Sequence, residues 1–117
     1  MEFAFWREPR PHHEKRIYEM RQYFLKPGTM IEWANYWANG IKLRRQHNQD
    51  VGGFFTQIGP LYCVYHIWGY ETLTQRKEVR EHMWEKPGWS DTVRHTVPLM
   101  RTNTSRIMSA LSYSPMQ

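Results

Sequence analysis

Residues 52–70, GGFFTQIGPLYCVYHIWGY, constrain what this chain can fold into more than any other stretch. Aromatic and β-branched residues fill Phe54 to Ile58 and Leu61 to Tyr70, and only Gly59-Pro60 lies between them. Glycine tolerates positive φ, and proline presets a turn dihedral while donating no ladder hydrogen bond, so the pattern predicts a β-hairpin. Alternation puts Leu61, Cys63, Tyr65 and Ile67 on one face of the second strand, and Tyr62, Val64, His66, Trp68 and Tyr70 on the other. Both faces are apolar or aromatic. A strand of that kind is central, and each side of its sheet needs a cover.

The flanking segments supply a cover for one side only. Residues 16–25 alternate as a first strand, with Tyr18, Met20 and Phe24 suited to packing under helices and Ile17, Glu19, Arg21, Tyr23 and Leu25 on the opposite side. Lys26-Pro27-Gly28 ends it, and Thr29 with Glu32 reads as a capping box opening a helix to about His47. Its stripe is Met30, Trp33, Ala34, Trp37, Gly40, Ile41 and Arg44. After the hairpin, Thr72 and Gln75 repeat the capping logic before a second helix marked by Leu73, Arg76, Val79, Arg80, Met83 and Trp84, ended by Lys86-Pro87-Gly88. A short third helix or irregular turn follows over Trp89 to Leu99, and Ser105 to Ser112 alternates as a last strand.

The resulting order, β-α-β-β-α-(α)-β, is the split βαβ of an α+β, ferredoxin-like βαββαβ fold: a four-stranded antiparallel sheet with its helices on one face. Right-handed crossovers put the first and third strands together in the middle. The other face, expected to carry Tyr23, Tyr62, His66 and Trp68, is left bare. Two such faces packed about a two-fold axis would make a dimeric α/β barrel, so a homodimer is expected.

Charge and cysteine usage narrow the function classes. With 117 residues the chain makes one domain, residues 16–117, preceded by a loose arm over residues 1–15 whose Phe3, Phe5 and Trp6 suggest docking. The net charge of +5 comes from 16 Lys and Arg against 11 Asp and Glu. These signs are interspersed, as in Arg76, Lys77 and Arg80 among Glu78, Glu81 and Glu85, which reads as a solvated helix face and not as a nucleic-acid stripe. The single Cys63 reads as a small core hydrophobe and fits a reducing compartment. No apolar run is long enough for a membrane span, and Met1 to Trp6 does not make a signal peptide.

No metal site is expected, because His12-His13 point apart in extended chain and His82 and His95 have nothing at ligand spacing. The chain has no G-x-S-x-G, G-x-G-x-x-G, P-loop or H-E-x-x-H motif, and no cofactor is implied.

The stretches IYEMRQYFLKPGTMIEWANYWANGI, VGGFFTQIGPLYCVYHIWGYETLTQRKEVREHMW, PGW and VPLMRTNTSRIMSALSYSPMQ together resemble the C-terminal domain of the NIPSNAP family, over about Arg16 to Gln117. The resemblance implies a dimeric α/β barrel. Family members are usually longer, with a mitochondrial presequence and a preceding related domain, so a domain-sized piece of a mitochondrial parent protein is expected. The resemblance names no catalytic residues. It implies vesicular roles and, for some members, recruitment of autophagy adaptors to damaged mitochondria.

Two functions follow as expectations. The first is a non-catalytic protein-interaction module. The second is a small-ligand binder or cofactor-free monooxygenase-like enzyme, by analogy of fold. Its pocket, or else the interface, would draw on Glu19, Arg21, Tyr23, Gln57, Tyr62, His66 and Trp68. There His66 would be the acid/base, Arg21 an anion clamp and Trp68 a stacking ring. The plainer reading of His66 is a buried, hydrogen-bonded histidine.

Overall fold

The computed structural model of the chain describes residues 16–44 and 50–117. The arm expected over residues 1–15 and the last turn of the first helix to His47 lie outside the described residues. The elements are β1 (Ile17–Leu25), α1 (Met30–Arg44), β2 (Asp50–Phe55), β3 (Cys63–Tyr70), α2 (Leu73–Met83), α3 (Trp89–Thr96), a 3-10 turn (Val97–Leu99) and β4 (Met100–Ser109). The strands form one antiparallel sheet in the order β2-β3-β1-β4. The ferredoxin-like order is the one the sequence predicts, with β1 and β3 in the middle.

Local signals explain most of these elements. The stripe Trp33, Ala34, Trp37, Gly40, Ile41 and Arg44 is the buried side of α1. Gly40 lets α1 approach α3 closely, since a Cβ there would meet the Thr92 methyl at 2.6 Å. At α2 the Thr72 hydroxyl accepts from the Gln75 amide at 3.0 Å, and the Gln75 side chain accepts from the Glu71 amide at 2.7 Å. The α1 capping box does not form that way. The Thr29 hydroxyl instead donates to the Lys26 carbonyl at 2.7 Å, within the turn itself.

The hairpin loop is longer than the two residues predicted. β2 ends at Phe55 and β3 begins at Cys63, with Gly59 at φ 128° and Tyr62 at φ 58° between them. Ile58 and Leu61, read from the sequence as strand residues, stand 98% and 77% exposed in that loop. β4 begins earlier than predicted, because β1 offers it a partner along its whole length, from Ile17 opposite Ser109 to Leu25 opposite Met100. The polar run Arg101 to Thr104 gives no alternation to reveal this, being the exposed side of an edge strand.

The largest correction concerns the two faces of the sheet. Cross-strand partners share a face. Glu19 opposite Trp68, Arg21 opposite His66 and Tyr23 opposite Val64 lie on the face that the helices cover. Met20 opposite Ile67, Gln22 opposite Tyr65 and Phe24 opposite Cys63 lie on the open one. The sequence reading had these faces exchanged, because apolar residues on both sides leave alternation without a direction. Partners decide it: Trp33 and Trp37 of α1 pack around His66, and Arg76 of α2 reaches Glu19. At one end of the open face the segment after β4 folds back. The Tyr18 hydroxyl donates to the Gln117 carbonyl at 3.2 Å, and a groove of about 570 Å³ remains between Tyr18, Ile67, Met108, Leu111 and Met116.

Candidate functional site

The covered face holds a cluster of charge and aromatic rings between the sheet and the three helices. Glu19, fully buried on β1, is its fixed point. Arg76 grips it bidentately, Nε to Oε1 at 3.1 Å and Nη2 to Oε2 at 2.8 Å, while the Ser105 hydroxyl donates to Oε2 and the Arg21 guanidinium stands 3.5 Å away. Burial works to raise the Glu19 pKa, but the bonds from Arg76 and Ser105 and the charge of Arg21 prevail and bring it down to about 2. The carboxylate is therefore ionised at every physiological pH. Both expected charges, Glu19 and Arg21, are paired, as a buried charge requires.

The remaining residues line a cavity of about 210 Å³ beside this cluster. Arg21 bonds the Tyr23 hydroxyl at 2.8 Å through Nε and forms one wall. Arg44, at the end of α1 and 5% exposed, lies 4.3 Å over the Trp68 ring and 5.7 Å from the Trp89 ring, and its Nη2 bonds the Tyr70 hydroxyl at 2.5 Å. Its Nε is buried without a hydrogen-bond partner. Arg80 of α2 forms another wall, and burial, with Arg21 and Arg76 nearby, lowers its pKa. Burial likewise raises the Tyr23 hydroxyl above its ordinary value. Trp37, Trp84, Trp89, Met83 and Val93 complete the apolar part.

His66 is fully buried and lies outside the cavity lining. Its ring is surrounded by Trp37 at 4.8 Å, Trp33 at 5.1 Å, Tyr23 at 5.3 Å and Trp68 at 5.8 Å, three of these edge-on. Burial, reinforced by the Arg21 and Arg44 charges, lowers its pKa to about 3. It is a neutral aromatic of the core at pH 7, and the acid/base role expected of it has no support in this geometry. Gln57 is exposed in the β2–β3 loop, and Tyr62, half-buried in the same loop, packs against the core; neither lines the cavity. Arg21, Tyr23 and Trp68 line the cavity, and Glu19 stands beside it, 3.5 Å from Arg21.

Sequence reasoning missed Arg44, Arg76 and Arg80 as site residues. The signal was present. All three recur at three- and four-residue spacing within the apolar stripes of their helices, where a solvated charge has no place. Arg76 and Arg80 turn inward from a helix whose Lys77 and Glu81 pair at 3.9 Å on its exposed side. Among the described residues, no group of three His, Cys, Asp or Glu could hold a metal ion, and no helix is long and apolar enough to cross a membrane.

Comparison with known proteins supplies the lineage. The NIPSNAP family model matches residues 18–115. Protein NipSnap homolog 1 of Danio rerio is 53% identical over 117 residues, covering 100% of this chain and 42% of that protein. Protein NipSnap homolog 2 of Homo sapiens is 52% identical, covering 100% of this chain and 41% of that protein. The chain thus spans about two-fifths of the length of these curated relatives.

Among solved structures, a NIPSNAP family protein from Agrobacterium tumefaciens, described as of unknown function, superposes with a TM-score of 0.82 at 30% identity, covering 91% of this chain and 97% of that one. A NIPSNAP-like domain protein from Burkholderia xenovorans gives 0.78 at 36%, covering 88% and 91%. An antibiotic biosynthesis monooxygenase shares the fold alone, at 15% identity and a TM-score of 0.62, covering 81% of this chain and 98% of that one. A family match over nearly the whole chain, half-identical homologues and a common architecture leave one conclusion: this chain belongs to the NIPSNAP family.

Proposed function

We propose that the chain is a non-catalytic protein-interaction module that pairs with a second copy of itself through the open face of its sheet. The observation that carries this reading is the chemistry of that face. Met20, Phe24, Tyr65 and Ile67 of the two middle strands lie on it, Phe54 of β2 is 57% exposed beside them, and no helix among the described residues covers them. A face of that kind is far more apolar than a solvated sheet, and two-fold pairing buries it on both copies at once. The neutral, enclosed His66 supports a reading without acid/base catalysis. In a longer parent protein the same domain would serve at mitochondria, docking other proteins in vesicular transport or recruiting autophagy adaptors, the setting that family resemblance suggests.

Sedimentation tests the pairing. The chain is expected to be a dimer at micromolar concentration, and Ile67→Glu is expected to give a folded monomer, since pairing would bury two unpaired carboxylates near the axis. A chain already monomeric at that concentration overturns the reading. Fractionation of the full-length parent tests the mitochondrial setting, and its exclusion from mitochondria would refute that part alone.

The cavity under the helices favours a second reading, small-ligand binding, of which a monooxygenase-like reaction would be the catalytic form. The lining offers guanidiniums, rings and thioethers but no group poised to exchange a proton near pH 7, so it supports binding over turnover.

A further inference from the structure

We propose that the cavity between the sheet and α2–α3 is a binding site for a small aromatic carboxylate. The inference rests on the ligand-binding reading of the cavity and is independent of sheet pairing. Its first ground is charge. Arg21, Arg44 and Arg80 line the cavity, and no carboxylate does. Glu19, 3.5 Å from Arg21, is already held by Arg76 and Ser105 as well. The three guanidiniums share a half-enclosed space, and burial, with the charges of Arg21 and Arg76, already lowers the Arg80 pKa. An anion would offset that repulsion, whereas a neutral ligand would leave it standing.

The second ground is an unused donor. The Arg44 Nε is buried at the cavity wall with no partner, and such an orphan donor in a native structure calls for an explanation. A carboxylate oxygen satisfies it, and guanidiniums match carboxylates in both planarity and charge.

The third ground is shape. Trp37, Trp68 and Trp89 furnish ring surfaces, so the body of the ligand is flat and apolar. About 210 Å³ lies below the roughly 300–1,000 Å³ typical of drug-sized sites, which limits the ligand to about one ring and a short acid arm. Trp84 and Val97, 58% and 50% exposed at the rim, leave a way in from solvent.

Titration of tryptophan fluorescence with phenylacetate tests the site, because its walls are themselves the reporters. Saturable quenching is expected. Its neutral analogue 2-phenylethanol should bind at least about tenfold more weakly, as should phenylacetate to Arg80→Met, for loss of one charged hydrogen bond. Among the described residues the Arg80 side chain makes no hydrogen bond or ion pair, so the variant is expected to keep the circular dichroism of the parent chain. Val93→Trp, which fills the cavity while retaining every arginine, should abolish quenching.

Absence of saturation to millimolar phenylacetate, equal binding of 2-phenylethanol, or unchanged affinity in both variants would overturn the proposal. Displacement of phenylacetate by inorganic phosphate at equal concentration would reduce it to an unselective anion site and overturn it as well. Sedimentation reads the pairing of sheets and fluorescence reads the cavity, so failure of either reading leaves the other visible.

Discussion

The two faces of the sheet are built from the same strands, yet they divide chemistry in the opposite way to an ordinary solvated sheet. The covered face holds Glu19, Arg21 and His66 among its tryptophans. The open face carries Met20, Phe24, Tyr65, Ile67, the amide Gln22 and, on the edge strand β4, a single charge, Arg106. Usually the charges face water and the apolar residues face helices. The inversion teaches that burial of charge here is set by partners: Arg76 arrives on α2 and Ser105 on β4 to meet Glu19. The open face lacks that compensation because it has little charge to compensate, and it is left needing an apolar cover.

The largest expected effect falls on the covered face. Glu19→Gln removes the charge that Arg76 and Arg21 share and leaves guanidiniums without a counter-ion, a loss of about 3–5 kcal/mol by denaturant unfolding. A loss below about 1 kcal/mol would mean that the face is not locked by charge, and the contrast with the open face would dissolve.

Acid exposes the next effect. His66 has its pKa lowered from 6.5 to about 3, so below pH 6.5 the unfolded chain takes up a proton that the folded chain refuses. Its contribution is intact above pH 6.5 and declines as pH falls toward 3, with about 1.4 kcal/mol lost by pH 5.5. Glu19, lowered from 4.5 to about 2, adds its own loss only below about pH 4.5, as the unfolded carboxylate protonates first. His66→Gln should therefore flatten the stability profile between pH 6.5 and 4.5 and leave the lower limb. A profile equally steep in that variant would assign the acid sensitivity elsewhere.

Much of this was legible in the residues. The capping pair Thr72 and Gln75, the stripe from Trp33 to Arg44 and the aromatic β3 each act over one element, where spacing alone carries the information. What was not legible depends on contacts between elements. Both parities of β3 are apolar, so no local rule says that Trp68 meets Arg44 while Ile67 faces away. The inward turn of Arg76 and Arg80 was hidden by Glu78 and Glu81, which make the same helix look solvated when charge is counted along the chain and not around the helix. Four of the seven expected site residues meet at the cavity or its bounding ion pairs; Gln57 and Tyr62 fall away because the β2–β3 loop is longer than Gly59-Pro60 suggests.

The smallest expected effect is the sharpest test of the open face. In dilute solution, where copies separate, Ile67→Glu puts a charge at a half-buried groove that water reaches and should change stability by about 1 kcal/mol or less. The parent chain should then gain stability as concentration rises, because a partner that binds only the folded state adds to its unfolding free energy by mass action. The variant should show no such gain. Glu19→Gln offers the converse, a large loss at every concentration with its concentration dependence preserved. If Ile67→Glu instead costs as much in dilute solution as Glu19→Gln does, Ile67 belongs to the monomer's own core, and the two faces are not different in kind.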